Sequence, residues 1–249
     1  MRPSKLSLTT RLRSNLVLAP PSFLSTAFFG TLALGASLFD KKGGLQHRVA
    51  RLWARSSVFF SGSRLEVLGL ENIPAHTAVF ASNHTSYMDT PVVFASLPFQ
   101  FRILAKTELW GLPFIGWYLS RSGQIPIDTA NPRATVSSLG KGVAALRAGL
   151  NVFVFPEGGR TPTGELQAFL NGAAYLAIRA QVPLVPLALV GVYDLLPMHT
   201  SHFYHSGRPL KLIVGVPIST HGRHLREAEA LTEELRQAIG ALIERHSNG

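Results

Sequence analysis

The stretch Asn83-His84-Thr85-Ser86-Tyr87-Met88-Asp89 sets an imidazole and a carboxylate five positions apart, directly after the apolar run Thr77-Ala78-Val79-Phe80-Ala81. A neutral histidine can take a proton from an alcohol near pH 7, and an aspartate can hold its ring in the required tautomer. On one continuous helix this pair would not share a face, since neighbours there lie three or four positions apart. The dyad therefore requires a bend: His84 leaves a strand, Thr85 or Ser86 caps a helix, and Asp89 sits in its first turn and points back. The alternative is an Asp89 that merely complements the helix dipole beside a loop histidine.

A second block, Phe155-Pro156-Glu157-Gly158-Gly159-Arg160-Thr161-Pro162, follows the strand-like run Asn151 to Phe155. Its glycines let backbone N–H groups approach an anion, and Arg160 offers a planar fork of donors suited to phosphate or carboxylate. An ordinary Gly-rich turn with solvated Arg160 and Glu157 reads equally well from these residues alone.

With Val182-Pro183-Leu184-Val185-Pro186 added, the blocks follow in an order that resembles the motifs of the glycerolipid acyltransferases typified by lysophosphatidic acid acyltransferase. A further stretch fits between them: Lys106, Glu108, Leu109, Pro113 and Gly116, then Gly123-Gln124-Ile125-Pro126-Ile127-Asp128. The resemblance covers roughly residues 45 to 217. It implies that His84 is the general base toward a glycerol hydroxyl and that Asp89 orients it. It assigns Glu157, Gly158 and Arg160, with Lys106, to binding the acceptor's phosphate. Acyl-CoA or acyl carrier protein would be the co-substrate, with no cofactor and no metal. The implied acceptor is 1-acylglycerol 3-phosphate, and the implied product phosphatidic acid.

The residues agree with that chemistry. The chain has no cysteine, which excludes an enzyme thioester and favours direct transfer. The nine histidines form no ligand spacing with carboxylates. Two departures from the family pattern stand out: Thr129 and Leu170 occupy places where an arginine and a lysine are frequent. They leave the head group open, a lyso-ornithine lipid included, and Lys106, Arg121 or Arg133 would have to compensate. A thioester hydrolase using the same pair is the rival activity, and a membrane-binding protein with a decayed site is the non-enzymatic one. Val182 to Pro186 reads better as a buried strand than as chemistry.

Composition points to lipid. Charged residues are 15% of the 249 and the mean hydropathy is +0.20, while the net charge is +10. Such a chain suits an anionic membrane surface; no basic run interleaved with aromatics suggests nucleic acid. Between Ser14 and Phe39 there is no charge, with Arg11 and Arg13 on one side and Asp40, Lys41 and Lys42 on the other. That length suffices for a span of about 20 residues. Pro20 and Pro21 are expected to break it, leaving Ser22 to Phe39 helical. A cleaved signal peptide is the competing reading, from the basic Arg2, Lys5, Arg11 and Arg13 and the small residues Ala33-Leu34-Gly35. An uncleaved anchor fits better, because thioester donors are made inside the cell, which places the protein on the cytoplasmic face of the cell membrane. From Leu45 to Phe60, Val49, Leu52, Trp53, Phe59 and Phe60 recur at helical spacing opposite Arg48, Arg51 and Arg55, an arrangement that suits either a helix in the lipid interface with Trp53 and the phenylalanines down or a core helix with a solvated basic side.

Downstream, short apolar strands alternate with helical patterns. The expected architecture is α/β, a mixed and mostly parallel central sheet covered by helices, as in the glycerol-3-phosphate acyltransferase-like fold that the resemblance implies. An N-terminal membrane-associating helical segment, 1–62, precedes a catalytic domain, 63–249. The amphipathic tail from Arg223 to Glu244 closes it.

Overall fold

The computed structural model describes residues 8–40, 42–198, 200, 202–204 and 207–247. Arg2 and Lys5 of the basic N-terminal group lie outside them.

Among the described residues, seven strands form one sheet in the order β1-β7-β6-β2-β5-β3-β4. Their ranges are β1 Leu65–Leu68, β2 Val79–Ser82, β3 Phe101–Lys106, β4 Ile125–Ile127, β5 Asn151–Val154, β6 Leu184–Val190 and β7 Leu210–Val214. Every pairing is parallel except β6 with β7. The central β2 is buried along its whole length, with β5 on one side and β6 on the other. Continuous apolar strands of this kind belong to a parallel sheet covered on both faces. One core cluster packs Phe80, Phe101 and Phe153 on one face; Leu176, Leu184, Leu231 and Leu235 fill the other. Pro186 is tolerated in the central β6 because it lies just outside the stretch paired with β7, which begins at Leu187.

The helices are α1 (Leu8–Leu12), α2 (Ala19–Ala36), α3 (Gly44–Phe60), α4 (Asp89–Ser96), α5 (Ile115–Arg121), α6 (Pro132–Arg147), α7 (Gly172–Ala180), α8 (Val192–Leu195) and α9 (Ala228–Ser247). Asn131 caps α6 by accepting from the N–H groups of Arg133 and Ala134, as its side chain type favours.

One expectation is overturned at the N-terminus. Pro20 and Pro21 do not break the helix: a π-helical turn, Arg13–Leu18, joins α1 to α2, and the prolines fall in the first turn of α2, where missing N–H groups cost least. The result is a continuous apolar helix from Leu8 to Ala36, long enough to cross a membrane. The apolar face of α3 is divided: part of it packs on α2 and part stays exposed. Val49 packs with Ala33 and Phe29, and the Trp53 indole donates to Thr26 Oγ1 at 3.0 Å. Burying the indole against α2 removes more apolar surface from water than leaving it on the face. Leu52 and Phe59 remain exposed, as do Phe23, Leu24 and Phe28 on α2. Ala50, Ala54 and Val58 join the main core, so α3 is part of the sheet's cover. Ala33, proposed above as part of a cleavage site, lies inside the packed α2–α3 interface.

Candidate active site

Because β2 and β5 are adjacent and parallel, the loops leaving their C-terminal ends meet, the usual place for a site in an open α/β sheet. The first loop carries His84 and the second carries Phe155 to Thr161.

Asn83 fixes the start of the first loop. Its amide donates to Leu189 O at 2.9 Å and accepts from Leu189 N at 2.8 Å, continuing the β2–β6 ladder through a side chain. Ser86 then turns the chain, its hydroxyl donating to Leu196 O and accepting from Met88 N. The expected cap is thus corrected in detail: neither Thr85 nor Ser86 caps α4, and Asp89 itself begins the helix. Its carboxylate points back. Oδ2 accepts from the N–H groups of Thr85 (2.5 Å) and Ser86 (2.8 Å) and lies 2.8 Å from His84 Nδ1. An ionised carboxylate can only accept, so Nδ1 carries the proton and Nε2 has a free lone pair. Asp89 is fully buried, whereas the His84 side chain keeps 16% exposure. The imidazole also stacks on Phe155, with centroids 3.8 Å apart and planes within 13°. Tautomer and orientation are both fixed, and the unprotonated nitrogen can serve as a base.

The second loop brings the remaining residues. Gly158 adopts φ +70°, the left-handed conformation that glycine takes without penalty. Arg160 lies over the Tyr87 ring, Cζ 3.7 Å from its centroid. Lys106, at the end of β3, places Nζ beside Gly159, 3.7 Å from where a Cβ there would stand. The turn thus gathers Gly158, Arg160 and Lys106, two cations at a bend with little side-chain bulk. Leu170, which stands where a lysine is frequent, covers Gly158 instead. Glu157 is engaged differently: its oxygens accept from His84 N at 2.6 Å and from Gln167 N at 3.0 Å. Burial, with a smaller contribution from the Asp89 charge, pushes the Glu157 carboxyl above its ordinary range, and the two N–H donors pull the other way.

Phe155, Tyr87 and Asn83 hold the site, yet had no role in the motif reading. Their motif neighbourhood was the only available signal, since stacking and cross-strand amide pairs have no sequence spacing.

An apolar cavity of about 400 Å³ adjoins this region. Phe29 and Trp53 line it from the N-terminal helices, Phe94 and Leu119 from the domain, and Tyr87 and Arg160 from the site.

Comparison with known proteins names the class. A family model described as Acyltransferase matches residues 64–190, about half of the chain and both loops of the site. The chain belongs to the acyltransferase family. It is 31% identical to a chloroplastic 1-acyl-sn-glycerol-3-phosphate acyltransferase of Arabidopsis thaliana over 94% of its own length and 65% of that protein's, so it spans just under two thirds of that relative. It is 33% identical to the 1-acyl-sn-glycerol-3-phosphate acyltransferase of Bacillus subtilis over 72% of its length and 87% of the relative's. The fold of this chain matches the crystal structure of the 1-acyl-sn-glycerophosphate (LPA) acyltransferase, PlsC, from Thermotoga maritima, with TM-score 0.76, 24% identity, and 94% and 97% of the two chains covered.

Proposed function

We propose that the protein moves a fatty acyl group from a thioester to the free hydroxyl of 1-acylglycerol 3-phosphate, forming phosphatidic acid. The observation that carries this reading is the His84 imidazole, held through Nδ1 by Asp89, near the turn that bears Arg160 and that Lys106 approaches from the end of β3. The acceptor's phosphate suits those two cations. Its acyl chain, or the donor's, suits the apolar cavity that Arg160 and Tyr87 help to line.

In the reaction, the acceptor O–H gives its proton to Nε2 as its oxygen attacks the thioester carbonyl. The C–O bond forms and the carbonyl electrons move to oxygen. The tetrahedral intermediate then collapses, the C–S bond breaks, and the leaving sulfur takes the proton back from the imidazolium. Asp89 stabilises that imidazolium during the step. Proton transfer by a positioned base contributes roughly 10²–10⁴ in rate.

The donor in this reading is acyl-CoA or an acyl carrier protein, with no cofactor. The exposed apolar side chains of the Leu8–Ala36 helix, with Leu52 and Phe59 of α3, support attachment to a membrane, on the cytoplasmic face where thioester donors are made. The test is thiol release from palmitoyl-CoA by detergent-solubilised protein, with and without lysophosphatidic acid and in parallel with other lysolipids. Release that requires lysophosphatidic acid supports reaction and acceptor together. Release that proceeds with no acceptor would replace the transferase by a hydrolase, and release only with another lysolipid would move the substrate.

A further inference from the structure

We propose that Glu157 is a positioning residue that straps the backbone of His84 to the second loop, and that it does not bind the acceptor's phosphate. The inference rests on the reading of His84 as the base.

The β2 ladder ends one residue before the site: Ala81 pairs with Val154 and Ser82 with Leu187. The His84 N–H therefore needs a partner from elsewhere, and a buried backbone donor left unpaired is costly. Glu157 supplies it at 2.6 Å, while its other oxygen takes the Gln167 N–H at 3.0 Å, ten residues along the same loop. The His84 carbonyl is held from the same side, by the Thr161 N–H at 2.9 Å, and the ring lies on Phe155. Three residues of one loop thus grip the donor end, the acceptor end and the face of His84. Asp89 fixes only the in-plane direction of the ring; Glu157 sets where the backbone carrying it stands.

The alternative role fails on charge. An ionised carboxylate has no proton to offer a phosphate and repels it, and both of its oxygens already serve backbone donors. A glutamine in its place would turn an N–H₂ toward one of those donors, breaking one end of the strap while keeping size and shape. Displacing a base by about 1 Å costs on the order of 10²-fold in rate.

Kinetics of the full-length, detergent-solubilised protein separate the two roles. Glu157→Gln is expected to lower kcat by about 10- to 100-fold, with KM for lysophosphatidic acid within about twofold of the native value. Glu157→Asp, which keeps the charge but shortens the reach, should fall between glutamine and the native residue. A KM raised about tenfold at unchanged kcat, in either variant, would overturn the proposal and return Glu157 to the acceptor. Native values for both constants in both variants would overturn it as well. Should glutamine prevent folding, the aspartate variant carries the same split. If the unmodified protein uses another lysolipid, the split is measured with that acceptor; if it uses none, the acceptor reading fails first, and loss of acceptor-independent thioester cleavage in Glu157→Gln still tests the strap.

Discussion

Asp89→Asn changes one atom at a fully buried carboxylate and isolates what its charge and acceptor capacity do. One oxygen now receives three donors: the N–H groups of Thr85 and Ser86 and the ring Nδ1–H. An asparagine keeps one acceptor oxygen but must present an N–H₂ on its other side. If the amide oxygen stays with Thr85 and Ser86, at 2.5 and 2.8 Å, it also keeps the ring Nδ1–H at 2.8 Å, and the N–H₂ takes the other carboxylate position, near Thr85 Oγ1. The ring tautomer is then kept, and what is lost is the negative charge that stabilises the imidazolium formed when Nε2 takes the acceptor's proton. The same substitution in the serine-protease triad costs about 10⁴ in kcat through the wrong tautomer, which sets an upper bound where the tautomer is kept. A loss of about 10²–10³, or about 2.7–4 kcal/mol of barrier, is expected here from the missing charge. Because the loop's backbone bonds persist, the melting temperature should move by only a few degrees. Single-turnover thiol release, with acceptor and donor saturating, measures the chemical step directly. An Asp89→Asn protein within tenfold of the native rate would refute the assignment of Asp89 as the residue whose charge stabilises the imidazolium.

Other variants probe the remaining parts. His84→Ala should reduce transfer by at least about 10²-fold while the protein still folds, as circular dichroism and steady-state rates would report. Arg160→Ala should raise KM for lysophosphatidic acid by about tenfold or more, because a hydrogen bond to a charged group contributes about 1.5–3 kcal/mol; an unchanged KM would remove Arg160 from the acceptor. Ala105→Phe, which fills the cavity from β3, should depress activity with long acyl chains more than with short ones, measured by competing lysophosphatidic acids of different length. His47 of α3 is 3% exposed, and its Nδ1 finds no partner among the described residues. Burial pushes it down to about 4, from an ordinary 6.5. The folded state therefore holds it neutral: the stability is fully present above pH 6.5 and is lost as the pH falls toward 4, by up to about 3 kcal/mol. Denaturation midpoints across that window should fall for the native protein and less steeply for His47→Leu.

The amino-acid sequence alone determined the alternation of strands and helices and the existence of two polar blocks at strand ends, because periodicity and composition are local properties. It also ruled out a cysteine intermediate and pointed to His84, Asp89 and Arg160 through types that suit the chemistry. Local rules failed where packing competes with them. Pro20 and Pro21 look like breakers in sequence, but a π-helical turn places them where no N–H is needed. Trp53 looks like an interfacial anchor, and in the fold its indole is half-buried and bonded to α2. The site itself was decided only by tertiary structure. The strand order puts β2 beside β5, so residues more than seventy positions apart come within hydrogen-bonding distance, and Glu157 meets the His84 backbone instead of standing open to a phosphate. Residue type says what a side chain is able to do; which of its possible partners it takes depends on chain crossings that no spacing along the sequence records.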